Sequence, residues 1–364
     1  MTTATTPREA IGTSHTLTTG HLPRWSPFVL LGLSWLVFIG VFLLTAASSK
    51  SEFNLVGALF LGTVFFDIVI FVVSYLVEGV RQAKNRLVTS LVSTAFIIAL
   101  LPLISLVYTV TLKGADRALD LSFFTNSMRN VTGAGGGALH AIIGTLEITA
   151  MATVISVPVG LLAAIYLVEY GRGALARSIT FFVDVMTGIP SIVAGLFAFA
   201  MFALLFSDPG IRFGFGGSIA LSVLMIPVVV RSSEEMLKLV PNELREASYA
   251  LGVPKWLTIV KIVIPTSIAG ITTGITLAIA RVIGETAPLL LIAGFTASVN
   301  YDLFSERMMS LPVFVYTQYA YPGTDAQAYL DRAWAGALVL IAIVMVLNLV
   351  ARLIAKIFSP KLGR

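Results

Sequence analysis

The chain has 364 residues, of which 57% are hydrophobic and 12% charged, and its mean hydropathy is +0.93. Ordinary soluble domains carry about a quarter charged residues, so this composition excludes a typical water-soluble fold. The sequence has no cysteine, which excludes disulfides and thiol chemistry. Its three histidines are far apart and its net charge of +5 forms no basic stripe interleaved with aromatic residues, so we expect no metal, no cofactor and no nucleic-acid partner.

Eight apolar segments are long enough to cross a bilayer. A helical crossing needs about 20 residues, and a helix satisfies its own backbone hydrogen bonds where no water is present. A polar, Thr-rich stretch at 1–25 precedes them and is expected to be a disordered cytoplasmic tail without a signal peptide. The sequence therefore predicts an all-α polytopic membrane protein with spans at 26–46, 55–77, 87–111, 141–168, 178–206, 214–231, 265–295 and 333–356.

The positions of Lys and Arg set the predicted orientation. With the N-terminus in the cytoplasm, 16 of the 24 Lys and Arg residues fall on the cytoplasmic side, seven fall on the outer side, and Arg281 lies inside a span. Cytoplasmic loops of membrane proteins are enriched in these residues. We therefore expect an even number of spans and both termini in the cytoplasm.

The fifth predicted span and the loop before the fourth contain residues that disturb regular structure. Gly188 and Pro190 lie near the middle of span five, so that helix is either kinked for packing or broken, and a break would expose backbone N–H groups to an anion. The glycine-rich run 133–137, which precedes His140, is either a flexible connection or a phosphate cradle.

A long cytoplasmic loop, 232–264, separates spans six and seven. Pro241 is placed to open a short helix, Gly252 to end it, and Pro254 to open a second helix, with Pro265 beginning the next span. Apolar residues recur at intervals of three and four along both segments. The pattern predicts a helix–turn–helix outside the membrane, and by itself it is also typical of an amphipathic hairpin resting on lipid headgroups.

Ionisable residues inside apolar spans each cost roughly 2.5–3.5 kcal/mol at mid-bilayer. They are Asp67, Glu147, Asp184, Arg281 and Glu285. Asp67 is expected to pair within the membrane, and Glu147 and Asp184 to form interior hydrogen bonds.

Arg281 and Glu285 are four residues apart, so on a continuous helix they would share one face. They are either an ion pair that lets this helix insert, or part of a permeation path in which Arg281 binds an oxyanion with its guanidinium fork. In the second interpretation Glu285 would hold Arg281 when the site is empty, or would accept a hydrogen bond from protonated phosphate.

The spacing within the cytoplasmic loop resembles the EAA loop of bacterial ABC-importer permeases. Ser248 replaces the second alanine of that signature, and Ile264 replaces a leucine. In that family the short helix docks onto the ATP-hydrolysing subunit, which implies that Glu246, Ala247, Ser248 and Gly252 form the coupling surface here. The anchors are Glu246-Ala247-Ser248, then Gly252 after three residues, Ile262 after nine more, and Ile264-Pro265.

Two intramembrane segments resemble phosphate importer permeases of the PstA type, and the likeness covers about residues 87–364. In that family the Arg and Glu of the first segment are implicated in phosphate passage, which implies a substrate pathway at Arg281 and Glu285, with Ser191 and Thr286 beside them. The segments are Arg281-x-x-Gly284-Glu285-Thr286-Ala287-Pro288 and Gly188-Ile189-Pro190-Ser191-Ile192-Val193.

The resemblance implies an architecture and a set of partners. It implies a six-helix type I ABC-importer permease core at 87–364, two extra transmembrane helices within 26–86, and a bacterial inner-membrane location. The implied partners are a homologous PstC-type permease, two copies of an ATP-binding subunit, an extracytoplasmic phosphate-binding protein and membrane lipid. The chain contains no G-x-x-x-x-G-K-[ST] phosphate loop, so we expect ATP hydrolysis in a separate subunit and no enzymatic activity in this one.

Three alternatives remain open at this point. The cargo could be another oxyanion, such as sulfate or molybdate. A secondary transporter would use Glu285 or Asp184 to carry protons, and it would leave the EAA-like loop without a role. A scaffold or signalling protein would tolerate neutral substitutions at Arg281 and Glu285.

Overall fold

A computed structural model describes residues 20–49 and 53–358, and all regular structure within these ranges is helical. The predicted all-α class is therefore confirmed. Within the described ranges, seven helices are long and apolar enough to cross a membrane, or eight if one bent pair forms a single span. Most of the predicted tail, residues 1–19, lies outside the described residues, as do 359–364.

The chain divides into two compact units, Met1–Val107 and Tyr108–Arg364. The boundary falls inside one long helix, so the division into added helices at 26–86 and a permease core at 87–364 stays a prediction. The first unit contains α1 (Ser26–Ser49), α2 (Leu55–Glu78) and most of α3 (Val80–Ala118).

The first unit is held together by small residues and a few polar contacts. Trp35 of α1 packs where a Cβ on Gly62 would stand and donates its indole N–H to Thr63 over 3.0 Å. Asp67 is buried and accepts a hydrogen bond from the Ser90 hydroxyl, so the predicted intramembrane pairing of Asp67 is a hydrogen bond between α2 and α3.

Glu78 organises the turn between α2 and α3, which consists of Gly79 alone. The Glu78 carboxylate binds Arg86 through two nitrogens, at 2.6 and 2.7 Å, and accepts a hydrogen bond from the Ser74 hydroxyl. Gly79 has φ +88°, which glycine adopts without strain. The backbone N–H of Leu22 also donates to Glu78, so the chain before α1 is tied to this turn.

The second unit contains the end of α3 and eleven further helices of very different lengths. They are α4 (Ser122–Thr125), α5 (Leu139–Ile165), α6 (Ala174–Thr187), α7 (Ser191–Phe206), α8 (Gly214–Lys238), α9 (Asn242–Ala250), α10 (Lys255–Thr258), α11 (Ile264–Val282), α12 (Ala287–Ile292), α13 (Leu311–Ala320) and α14 (Ala326–Phe358). One π-helical turn, Tyr166–Tyr170, extends α5, and another, Ile259–Val263, joins α10 to α11.

Small residues allow α5 and α8 to pack at the centre of this unit. A Cβ on Gly160 of α5 would stand 2.7 Å from the Val229 side chain of α8. The buried Ser218 hydroxyl donates to the Ile148 carbonyl over 3.0 Å, which adds a hydrogen bond between the same helices. Helices in lipid associate through this kind of close contact, because lipid tails are as apolar as the side chains they would replace.

Two predicted spans were wrong in their continuity. The fifth, 178–206, consists of two helices, and the chain bends by 109° between them at Gly188–Pro190. The helix is therefore broken rather than kinked. The seventh, 265–295, ends at Val282, and a continuous helix instead begins at Lys255. Pro265 does not start that continuous helix but lies in the first turn of α11, directly after the π-helical turn.

Candidate functional site

The predicted helix–turn–helix of the long loop is confirmed. Helix α9 follows Pro241 and ends at Ala250, and α10 follows Pro254. Gly252 between them has φ +75°, and its N–H donates to the Tyr249 carbonyl over 2.9 Å. A residue with a side chain would be strained at this backbone conformation, which explains the glycine of the signature.

The four predicted coupling residues have different environments. Glu246, Ala247 and Gly252 are exposed, whereas Ser248 is 2% exposed. The Ser248 hydroxyl lies 2.8 Å from that of Thr258, so serine in place of the family's alanine adds a hydrogen bond between α9 and α10. The exposed residues are therefore the ones available to a partner.

Large apolar side chains stand beside the exposed coupling residues. Leu251 is 83% exposed and Trp256 is 61% exposed, and Leu244 adds a further exposed apolar side chain on α9. These residues flank Gly252 in a polar part of the chain. Apolar groups concentrated in such a place typically mark a protein contact.

Arg245 fixes α9 to two other helices. Its Nε and Nη2 atoms donate to Glu169 Oε1 over 3.0 and 2.8 Å. Its guanidinium also donates to the carbonyls of Leu237 and Val240, over 3.0 and 2.6 Å, just where α8 ends. Arg245 therefore binds carbonyls at the end of α8 and just beyond it while it also binds the π-helical turn that ends α5.

The Arg281 and Glu285 side chains do not share a helix face, contrary to the prediction. Helix α11 ends at Val282, and Glu285 lies in the turn before α12, where its N–H donates to the Val282 carbonyl over 3.1 Å. Arg281 is exposed and Glu285 half-buried, and within the described ranges no carboxylate lies within 4.0 Å of Arg281. The Arg281 guanidinium is thus open to a ligand or a partner chain.

The structure brings together the two intramembrane segments that the sequence singled out. A Cβ on Gly195 of α7 would stand 2.5 Å from the Cα of Pro288 in α12. Ser191 is the first residue of α7, one turn before Gly195, and Thr286 directly precedes α12. Two interrupted helices therefore meet at a backbone contact that only glycine permits, and both Ser191 and Thr286 stand at a helix start.

The remaining intramembrane acids have separate roles. Asp184 is largely exposed and forms an ion pair with Arg231 between α6 and α8, rather than the interior hydrogen bond predicted for it. Glu147 is half-buried on α5, and its Oε2 atom has no hydrogen-bond partner among the described residues.

The glycine-rich run is held by its carbonyl groups. Arg332 donates to the carbonyls of Gly133 and Gly135 over 2.8 and 3.1 Å, and Arg117 donates to that of Gly136. Nearby His140 is buried with its ring edge against Phe314. These contacts fix the loop in place and do not favour a phosphate cradle.

Sequence reasoning missed two residues that organise this unit. Arg332, which directly precedes the eighth predicted span, lies inside α14, is 1% exposed and donates to Gln318 Oε1 over 2.8 Å. Glu169 was not singled out at all. The partners of both residues are remote in sequence, and no local pattern could have identified them.

Comparison with known proteins agrees with this arrangement. The profile of the family described as binding-protein-dependent transport system inner membrane component matches residues 156–364. The phosphate transport system permease protein PstA 1 of Mycobacterium tuberculosis is 47% identical over 276 residues, which is 75% of this chain and 89% of that protein. PstA of Yersinia pestis is 40% identical over 275 residues, covering 75% and 90% of the two chains.

A solved structure supports the fold. A chain of a bacterial alginate ABC transporter, crystallised with a pentasaccharide-bound periplasmic protein, superposes with a TM-score of 0.51 at 13% identity, over 78% of this chain and 99% of that one. The sequence relatives identify the family more narrowly than this structure does. The chain therefore belongs to the binding-protein-dependent transport system inner membrane components and, within them, to the phosphate transport system permease proteins of the PstA type.

Proposed function

We propose that this chain is the permease subunit of an ATP-driven importer of inorganic phosphate and that Arg281 lies on the phosphate pathway. The observation that supports the pathway most directly is the exposed Arg281 guanidinium, which no carboxylate among the described residues neutralises. A buried or paired arginine would instead have a structural role in its own helix. An exposed arginine near the end of an apolar helix is stabilised by an anion, by a polar partner surface or by reaching the bilayer interface, and the first of these fits a transport pathway.

The polar residues that follow Arg281 in the chain, and those at the contact of α7 with α12, suit an oxyanion. Arginine binds phosphate through a planar fork of N–H donors, which gives directed hydrogen bonds as well as charge. Glu285 follows in the turn after α11, and Thr286 and Ser191 supply hydroxyl groups at the starts of α12 and α7. A protonated phosphate can donate a hydrogen bond to Glu285, whereas fully ionised sulfate cannot, so this group of residues favours phosphate.

The exposed face of the coupling loop supports an ATPase partner. Glu246 offers a charge, Ala247 permits close approach, and the apolar Leu251 and Trp256 side chains lie beside them. The chain's lack of a phosphate loop for ATP supports hydrolysis in a separate subunit, and this subunit then performs no covalent chemistry.

The complete importer would contain four kinds of subunit. A homologous PstC-type permease would pair with this chain so that Arg281 faces the interface between them. Two ATP-binding subunits would contact the coupling loops, and an extracytoplasmic phosphate-binding protein would deliver the anion from the opposite side. Both termini of this chain would lie in the cytoplasm, as the distribution of Lys and Arg favours.

Transport by vesicles containing the whole complex and its binding protein tests the proposal. Arg281→Gln is expected to lower ATP-dependent phosphate uptake by about tenfold or more, because a hydrogen bond to a charged group contributes roughly 1.5–3 kcal/mol. Arg281→Lys, which keeps the charge but lacks the fork, is expected to retain an intermediate rate. Arg177→Gln is the matched control, because Arg177 is exposed on α6, away from α11 and α12.

Each failure identifies a different error. Normal uptake by Arg281→Gln would remove this residue from the pathway. A wild-type complex that takes up sulfate or molybdate but not phosphate would contradict the cargo. Uptake that survives ATP depletion and stops when the proton gradient collapses would instead favour a secondary transporter.

A further inference from the structure

An ion pair with little solvent access joins the coupling helix to the end of α5. The Arg245 side chain is 12% exposed and that of Glu169 is 5% exposed, although both lie close to polar loops. Both guanidinium nitrogens that face Glu169 donate to the same oxygen, Oε1. Because water is largely excluded, the attraction is screened much less than that of a surface pair.

A second cation binds the same turn from the other side of the loop. Lys255, at the start of α10, donates to the backbone carbonyl of Glu169 and stands 4.7 Å from the centre of the Tyr170 ring. The turn that ends α5 is therefore bound by one residue of α9 and one of α10. We refer to Glu169, Arg245 and Lys255 together as the cytoplasmic clasp.

Two π-helical turns are associated with the clasp, one that contains Glu169 and one that follows Lys255. Glu169 and Tyr170 belong to Tyr166–Tyr170, and the helix that Lys255 begins passes through Ile259–Val263 four residues later. Such turns have a wider and less regular hydrogen-bond pattern than an α-helix and often mark functional positions. Both α5 and the helix that begins at Lys255 thus contain a π-helical turn at or next to the clasp.

These contacts restrict how α9 can move. A force on the exposed face of α9 acts through Arg245 on α5 and on the end of α8, and the Ser248–Thr258 hydrogen bond and Lys255 carry α10 with it. Without the clasp, fewer contacts would connect α9 to the other helices. They would include the peptide chain at its two ends and the Ser248 hydrogen bond to α10. Displacement of α9 could then be absorbed in the loop instead of reaching α5.

We infer that the cytoplasmic clasp transmits movement of α9 to α5 and α11, so that Glu169, Arg245 and Lys255 are positioning residues for the coupling of ATP hydrolysis to transport. This inference rests on the proposed function, because it assigns a role within that importer. The clasp acts on how efficiently one event drives the other, rather than on phosphate binding or on attachment of the ATPase.

The test measures phosphate transported per ATP hydrolysed in vesicles containing the whole complex. Glu169→Gln keeps a hydrogen-bond acceptor but removes the charge, and we expect ATPase activity to persist while the ratio falls at least about fivefold, the lower end of typical coupling effects. Arg245→Lys keeps the charge but cannot reach all its partners, so its ratio should be intermediate. Hydrogen exchange of the α9 amides should be faster in both variants.

Lys255→Gln is a second variant that tests the clasp and is expected to leave assembly of the complex intact. Lys255 is exposed, so its replacement leaves no buried charge unpaired, and it should lower the ratio in the same direction by a smaller factor. Asp184→Asn is the matched acid-to-amide control, because it breaks the ion pair between α6 and α8 and leaves α9 untouched. Its transport ratio and α9 exchange should equal those of the wild type.

The two measurements separate the clasp from the proposed function. An unchanged ratio and unchanged α9 exchange in Glu169→Gln and Lys255→Gln would overturn the inference even if the wild type imports phosphate. A wild-type complex without phosphate uptake would refute the proposed function, and the exchange of α9, which requires no cargo, would still decide whether the clasp holds this helix.

Discussion

Arginine side chains at the two ends of α5 rely to different degrees on carboxylates. Before α5 begins, Arg332 and Arg117 donate to backbone carbonyls of the glycine-rich loop, and only Arg117 also pairs with a carboxylate among the described residues. At the other end, Arg245 binds Glu169 in the turn that extends α5 as well as two backbone carbonyls, and Arg231 of α8 binds Asp184 of α6. A backbone carbonyl cannot rotate away or take up a proton, whereas a carboxylate side chain can change rotamer and partner. The glycine-rich loop before α5, which we call the fixed rim, is therefore held mainly through backbone groups, whereas the contacts at the other end of α5 include carboxylates that can change partner.

Arg332→Leu should have the largest effect on stability. It leaves the buried Gln318 side chain without its donor, which costs roughly 1–3 kcal/mol, and it also removes the donor to the carbonyls of half-buried Gly133 and exposed Gly135. We expect the Tm of the purified protein to fall by several degrees. Arg129→Leu, an exposed arginine of the same loop region, is the control and should leave Tm close to wild type. Equal melting of both variants would contradict a fixed rim.

Arg231→Gln should have a smaller effect that depends on salt. The Arg231 side chain is 33% exposed, and its partners are Asp184, which is 60% exposed, and Glu234, which also binds Lys238. Exposed pairs of this kind contribute about 0.2–1 kcal/mol each. The difference in Tm between variant and wild type should shrink as salt rises from low to molar concentration, because ions screen exposed charges. The deficit of Arg332→Leu should not shrink in the same series. If the Tm deficits of Arg231→Gln and Arg332→Leu depended on salt in the same way, the two ends of α5 would not differ as described.

Asp120→Asn should have the smallest effect and should appear only in acid. Hydrogen bonds from Ser122, helped by the charge of Arg117, hold the pKa of the Asp120 carboxyl below its ordinary value. A lowered folded-state pKa stabilises the protein above the ordinary pKa, and this stabilisation is lost as pH falls through the lowered one. Wild-type Tm should therefore decline slightly more than that of Asp120→Asn below about pH 4. Parallel profiles would show that this acid does not help to hold the rim.

The coupling loop could be predicted from sequence because its signals are local. Pro241 and Pro254 restrict the backbone at their own positions, Gly252 permits a positive φ, and the structure ends or begins a helix beside all three. The same local chemistry was present after Arg281, where Gly284 and Pro288 mark the end of one helix and the start of another. The apolar run around them concealed the break, so Glu285 was placed on the wrong face.

Residues that act through distant partners could not be identified in this way. Arg332 meets Gly133 across 199 positions, and Arg245 meets Glu169 across 76. Each looked like a surface charge, because the residues within a helical turn of it, such as Asn242 beside Arg245, do not indicate these distant acceptors. Burial of these arginines depends on which helices pack together, and single-sequence periodicity does not specify that packing.

The contact between Gly195 and Pro288 also bears on how the protein responds to cold. The stabilisation gained by removing apolar surface from water weakens on cooling, because its driving force near room temperature is largely entropic. Between two helices surrounded by lipid, removal from water contributes little, and close atomic contact is what favours association. The junction of α7 with α12 should therefore keep its strength at low temperature, where a water-facing apolar interface of the same area would loosen.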